Sequence, residues 1–359
     1  MTYMKRIIYI LAFILPFMAG CSKPNSSVTP EEFERYIFFS QGIDTKASLI
    51  ESAGTMAKFG VVGFKYDDAK TWAEHQASNP TPNVFYDDAS ALVPVETLTC
   101  SSDGSSTYTP LQGWSNLSKY AFFAYYPIDK DNVTLVNTDG SEYTGGTPAI
   151  KYTMTSGVIQ DDMADVMIGY DADDVREAPA HTDKYWHSGS DNNVNGDIKF
   201  SFKHCLASLG LHMKNSTSGS VTLKSAKIQV KDLKHQDIII PLDGSAPTPS
   251  ASPISGTRTC IVSVDDAEKT LTSTGVELAD KLIFIPQNQN AKVTVTVEYT
   301  RYADGYTQLD GSFTTAELNT DLIQGKKSLV YLNFTDSNVE VKQGSGAWVE
   351  VPEVGNTFN

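Results

Sequence analysis

The sequence predicts an all-β protein, built as two β-sandwich domains in tandem. Three observations carry this. Short apolar or alternating runs recur along most of the chain, each bounded by clusters of Gly, Asn, Asp, Ser or Pro that have turn chemistry. Helical periodicity is scarce, which argues against a βαβ arrangement. The length, 359 residues, accommodates two domains of about 100–200 residues, each large enough to bury a core.

The chain opens with a leader. Lys5-Arg6 is a basic start, Ile7 to Met18 is apolar apart from Tyr9 and Pro16, and small Ala19 and Gly20 precede Cys21. Basic, apolar, then small is the order of a secretory signal. The apolar run is short of the ~20 residues a membrane-spanning helix needs, and Pro16 sits badly in a helix interior. Met18-Ala19-Gly20-Cys21 resembles the lipobox of bacterial lipoproteins, which implies cleavage after residue 20 and lipid on Cys21. Residues 1–20 are therefore expected to be the signal peptide and 21–35 a polar tether.

Strands follow in order. Tyr36-Ile37-Phe38-Phe39 is an apolar first strand. Lys58–Tyr66, Tyr120–Tyr126, Asp165–Tyr170, Asp197–Met213 and Ser220–Val230 come next. Ile238–Ile240, Cys260–Val264 and Lys281–Ile285 are shorter. Lys292–Tyr299 alternates, with Val293, Val295, Val297 and Tyr299 on one face and Thr294, Thr296 and Glu298 on the other, the pattern of a strand with one buried side. Leu329–Phe334, Val339–Lys342 and Ala347–Val351 close the chain.

Two helical signals stand out. Asp67–Gln76 suits a short surface helix with Trp72 turned inward. Thr314-Thr315-Ala316-Glu317 has the form of a capping box opening a helix that ends at Gly325. The polar stretch Ser188–Gly196 marks the domain boundary, giving an N-terminal sandwich over 36–195 and a C-terminal one over 196–359. Gly244–Gly256, rich in Pro and Ser, suits a long surface loop.

The net charge is −15. Removal of the leader takes Lys5 and Arg6 with it and leaves −17. That balance repels nucleic acid, so no nucleic-acid partner is expected. With lipid on Cys21, three cysteines remain, Cys100, Cys205 and Cys260. Their spacing matches no zinc pattern, and one bridge, Cys205–Cys260, is compatible with the sequence.

Signs of catalysis are missing. There is no Gly-x-Ser-x-Gly elbow, His-Glu-x-x-His pair, phosphate loop or dinucleotide fingerprint. Asp191-x-Asn193-x-Asn195-Gly196 imitates the start of a calcium loop, but Phe202 stands where the bidentate Glu belongs. His181, Asp183 and His187 are loosely spaced for a metal. The expectation is a protein without catalytic residues, metal or cofactor.

Several segments together resemble fimbrillin-like proteins, the subunits of type V pili of the Bacteroidales. Tyr120-Ala121-Phe122-Phe123-Ala124-Tyr125-Tyr126-Pro127 is similar to that family's "FFAYYP" signature. Asp165-Val166-Met167-Ile168 is similar to its "DLMxA" segment. Phe200–Leu209 is similar to the "FxFxHALAxL" strand that opens the second half. The resemblance runs from about Tyr36 to Trp348. It implies two transthyretin-like Greek-key sandwiches, export as a lipoprotein, and assembly by strand exchange with other fimbrial subunits. A protease would remove the first strand after a basic residue, often Arg in the family. Here Lys46 stands at that place, and Arg35 precedes the strand. The expected donor strand is 337–351, and the expected location is the outer membrane or a surface fimbrium. A rival reading is a lipid-anchored binding module that holds a glycan or host ligand on Trp72, Trp114, Tyr185 or Trp186.

Overall fold

The structure is a computed structural model. It describes residues 36–43, 56–67, 69–84, 95–101, 105–114, 118–154, 165–171, 198–231, 233, 235–249, 258–262, 269–287, 291–302 and 308–347. In chain order the strands are β1 (Phe39–Ile43), β2 (Lys58–Asp67), β3 (Glu96–Cys100), β4 (Ser105–Thr107), β5 (Ser118–Tyr126), β6 (Val133–Asn137), β7 (Pro148–Thr153), β8 (Met167–Asp171), β9 (Ile198–His204), β10 (Ala207–Asn215) and β11 (Ser220–Lys231). There follow β12 (Asp237–Pro241), β13 (Thr248–Pro249), β14 (Arg258–Val262), β15 (Lys269–Thr270), β16 (Val276–Phe284), β17 (Ala291–Tyr302), β18 (Gln308–Thr314), β19 (Leu318–Thr320), β20 (Lys326–Phe334) and β21 (Val339–Ala347). One helix, α1 (Trp72–Gln76), lies among the described residues.

The all-β expectation is met, with a difference in the first half. There, seven strands close into a barrel in the order β1-β4-β3-β2-β5-β8-β9. Side chains alternate across a strand, so each stave of the barrel has two faces to cover. Phe59 and Val61 of β2, Tyr120 and Phe122 of β5, and Phe200 and Phe202 of β9 join one cluster that fills the barrel. Val62, Phe64, Ala121, Phe123 and Tyr125 face the other way. They pack under a second sheet, β13-β12-β7-β6, through residues such as Ile150, Tyr152, Ile238 and Ile240. This is why Tyr120–Tyr126 is apolar without interruption: both of its faces are buried.

The second half has two sheets, β16-β10-β20-β21 and β14-β11-β17-β18. Leu209, Leu211 and Met213 of β10 meet Ile228 of β11 and Val293, Val295 and Val297 of β17 in a shared core. The alternation predicted for Lys292–Tyr299 is realised in β17, where all three valines are at 0% exposure.

The halves interlock. The barrel takes in β9, which lies beyond residue 195 and pairs with β1 and β8. β12 follows β11 in the chain yet pairs with β7, and Leu242 N–H donates to the Pro148 carbonyl at 2.9 Å. One hydrophobic cluster runs from Val62 to Phe334.

Two helix expectations resolve differently. α1 forms with Thr71 as N-cap and a reciprocal capping box to Glu74, and Trp72 is buried. The second forecast is overturned. Thr315 hydrogen-bonds Val295 of β17 through both its backbone N–H and its hydroxyl, each at about 3 Å. The chain then continues as strand β19 along β17. The tertiary partner satisfies the groups that a capping box would use, and Gly325 instead closes a turn at φ 65°.

The run Asp197–Met213 is two strands, not one. At Cys205-Leu206 the chain leaves the barrel and enters the second half. His204 Nδ1 lies 2.8 Å from Asp165 Oδ1, with both side chains buried. Two of the segments singled out in the sequence, Asp165–Ile168 and Phe200–Leu209, thus meet at the crossing. Beside them Cys205 is a buried free thiol, so the Cys205–Cys260 bridge does not form. Burial pushes the Cys205 thiol up to about 12, which keeps it protonated and inert.

Candidate functional site

The candidate site consists of the two terminal strands and what they cover. The first strand lies three residues later than expected. Tyr36-Ile37-Phe38 forms its lead-in, Tyr36 makes a bridge to Gly113, and the ladder proper spans Phe39–Ile43. Tyr36 and Phe38 are 45% and 43% exposed, whereas Ile37 and Phe39 are at 0% and 1%. This alternation sends one side chain in two toward the barrel.

β1 is bonded on both sides. It runs antiparallel to β4 (Phe39↔Ser106, Ser40↔Ser105) and parallel to β9 from Phe39↔Ile198 to Ile43↔Phe202. It is the stave that closes the barrel. Phe39 touches Phe122 at 5.2 Å edge-on, stacks on Phe200 at 5.7 Å, and meets Tyr108 at 5.8 Å between ring centres. Tyr108 donates its hydroxyl to the Ile37 carbonyl at 2.8 Å, and Ile37 N–H donates to the Gln112 carbonyl at 2.8 Å. Burial pushes the Tyr108 phenol up to about 12, so it remains a donor.

Tyr108 and Gln112 carried no sequence signal of this role. Ser105–Thr107 is short and polar, and the partner of Tyr108 lies 71 residues away.

The last strand is held differently. β21 pairs antiparallel with β20 along its full length, from Phe334↔Val339 to Lys326↔Ala347. It sits at the end of its sheet, with no strand on its other side among the described residues. Val339 and Val341 are half-buried and Lys342 and Gln343 exposed. Gly344 lies under Tyr331, whose ring would stand 3.2 Å from an added Cβ. The aromatic ring covers the gap that glycine leaves on an edge strand.

The other predicted residues fall as follows. Cys21 and Lys46 lie outside the described residues, as do His181, Asp183, Tyr185, Trp186, His187, the Asp191–Gly196 loop and the donor stretch beyond Ala347. Lys46 is three positions past the end of β1. Trp72 and Trp114 are 5% and 1% exposed and belong to the core. Trp72 packs on Phe64 and Phe123, and Trp114 on Tyr120. Neither is a surface platform, so that part of the glycan reading is corrected.

Comparisons with known proteins agree with this architecture. A family model described as fimbrillin-like matches residues 70–347. No curated protein matches. A crystal structure of a fimbrial protein from Bacteroides vulgatus ATCC 8482 is 19% identical, aligns over 88% of this chain and 100% of its own, and superposes with a TM-score of 0.55, a likeness of fold. The fimbrial anchor protein Mfa2 from Porphyromonas gingivalis aligns over 88% of this chain and 98% of its own at 11% identity, but its TM-score of 0.34 is too low to carry an argument. With most of its length matched by the family model, the chain belongs to the fimbrillin-like family.

Proposed function

We propose that this protein is a structural subunit of a cell-surface fimbrium that joins neighbouring subunits by β-strand exchange. The observation that supports it is β1. This strand is bonded on both sides, sits at the start of the described chain, and plugs the barrel with Phe39. Its removal would leave an empty stave between β4 and β9, floored by Tyr108, Phe122 and Phe200. An added strand restores main-chain hydrogen bonds and refills alternate side-chain pockets. In this reading a lipid on Cys21 holds the precursor at the outer membrane, and cleavage after Lys46 frees the lipid and β1 together. The segment Ser337–Val351 of another subunit then fills the place. The fimbrial subunits, self or accessory, are the partners, and no catalytic step is assigned.

A second reading is favoured by a specific observation. β1 and β21 are both seated within one chain, so a monomer is already complete. A surface lipoprotein that keeps both strands and binds a ligand without polymerising has this form.

N-terminal sequencing of surface-released protein, with electrophoresis in unheated SDS, separates the two. The first reading expects a start at Ala47 and a ladder of oligomers that disappears when 337–359 is deleted. An intact monomer still carrying lipid on Cys21 would overturn it.

A further inference from the structure

We propose that the cleft between the end of α1 and the β6–β7 connection binds a neutral polyhydroxylated ligand, a single saccharide unit. The cleft has a volume of about 300 Å³, at the small end of ligand pockets. Gln76 and Asn79 from the end of α1, and Thr138, Asp139, Gly146 and Thr147 from the β6–β7 connection, line it.

The walls are fixed by groups that do not line the cleft alone. Asn137 Nδ2 donates to Ser141, Glu142 and Thr144, which holds the β6–β7 connection in one shape. Gly146 N–H donates to the Pro80 carbonyl at 2.8 Å, and the Tyr143 hydroxyl donates to the Gly146 carbonyl at 2.9 Å. Gly145 and Gly146 allow this approach: an added Cβ would stand 2.8 Å from Pro80 O and 2.7 Å from Asn79 Oδ1.

Most polar side-chain groups of the lining are unused by this frame. No hydrogen bond engages the side-chain amides of Gln76 and Asn79 or the Thr138 hydroxyl among the described residues. Thr147 Oγ1 is buried with no partner. Asp139 accepts from Ser141 N–H at 2.9 Å and from its hydroxyl at 2.6 Å through Oδ1, leaving Oδ2 open. Those two bonds hold the Asp139 carboxyl below its ordinary range, so it is ionised at neutral pH.

The donor set selects the ligand class. The named lining holds no Lys, Arg or His, so an anion meets only a carboxylate. A single carboxylate falls short of the oxygen set that calcium takes. Two primary amides, which both donate and accept, beside a carboxylate and hydroxyls suit the vicinal hydroxyls of a sugar. Among the described residues no aromatic ring is in the lining, so affinity rests on hydrogen bonds and a Kd on the order of 1 mM is expected.

The site does not depend on strand exchange, and its test uses the folded monomer. Methyl glycosides of mannose, galactose, glucose and N-acetylglucosamine are titrated into the isotopically labelled mature chain, and amide resonances are followed. At least one should give saturable shifts at Gly146, Thr147 and the side-chain amides of Gln76 and Asn79. Gln76→Ala, Asp139→Asn and Thr147→Val should each weaken binding about fivefold, the loss of one hydrogen bond of about 1 kcal/mol. Their thermal unfolding should not fall below the parent: Gln76→Ala and Thr147→Val remove no hydrogen bond of the frame, and Asp139→Asn keeps the Oδ1 acceptor that Ser141 uses. The absence of saturable shifts with all four glycosides overturns the proposal. So does binding that all three variants leave unchanged, or displacement of the bound glycoside by inorganic phosphate.

Discussion

The first and last described strands are held by opposite means. β1 is five residues long, bonded on both sides, and sends Phe39 into an aromatic cluster. β21 is nine residues long, bonded on one side, and its valines are only half-buried. The longer ladder covers the less core. Net hydrogen-bond contributions are about 0.5–1.5 kcal/mol each and are recovered by any strand or by water. Apolar burial of a large side chain, roughly 1.5–3 kcal/mol, is recovered only by a side chain of similar shape. Strand β1 therefore covers a specific groove, whereas β21 lies on a sheet edge with less of its surface in the core. On the proposed exchange, the first would be the place that is filled and the second part of the segment that fills it.

The sharpest way to break this comparison is to delete each end. A chain starting at Ala47 loses β1 and should fall in stability by more than any single core truncation. A peptide of residues 36–43 should restore it, and a peptide of residues 337–351 should do so if the proposed exchange operates. Deleting 337–359 should leave a cooperatively unfolding monomer. Thermal melts of both truncations, with and without peptide, decide this, and equal losses at the two ends would remove the asymmetry.

Single substitutions should follow the same order. Phe39→Ala should cost about 3–5 kcal/mol, the usual range for a buried Phe truncated in a packed core. Val341→Ala, at a half-buried edge position, should cost about 1 kcal/mol or less. Urea denaturation of the two variants measures the ratio, and comparable values would mean that β21 contributes core after all.

An effect between these two tests the crossing that carries β9, the longer partner of β1. Asp165→Ala leaves the buried His204 Nδ1 without its carboxylate, for an expected loss of about 1–3 kcal/mol. If β9 anchors β1, exchange of the Ile37 and Phe39 amides should quicken more than that of β21 amides. Uniform quickening would detach the crossing from the first strand.

The smallest expected effect lies on the β18 edge. Lys224, Thr300 and Gln308 hold the exposed Asp310 carboxyl down to about 2. Its folded value is below its unfolded one, so its contribution is present above the ordinary carboxylate value, about 4, and is lost as pH falls toward about 2. The difference between Asp310→Asn and the parent should shrink over that window. A difference that stays constant from neutral pH to pH 2 would sever the link to titration.

Some of this was legible in the residues alone. Tyr120–Tyr126 announced a strand, the valines of β17 a strand covered on one face, and Asp67–Gln76 a short helix with Trp72 turned inward. Strands β3, β4, β6, β7, β13, β15, β18 and β19 were not read from the residues, because each is short or sets few apolar residues among Ser, Thr, Asn and charged ones. Thr314–Glu317 misled for a physical reason: its capping groups found Val295 instead of a helical turn. In the candidate site, Phe39 was visible as apolar, but its strand extends through Ser40, Gln41 and Gly42, residues with little strand preference.

The sequence by itself determined that the chain is mostly extended and which face of its clearest alternating strand is apolar, because side-chain period and turn chemistry are local properties of the chain. Only the tertiary structure decided that seven strands close into a barrel, that β9 and β12 tie the two halves together, and that β1 is enclosed while β21 lies on an edge. Those outcomes depend on meetings such as Phe39 with Phe200 and Tyr108 with Ile37, between residues far apart in the chain. No local pattern encodes such pairs, since any apolar strand offers the same face and the choice among partners is made by shape and chain closure in the packed core.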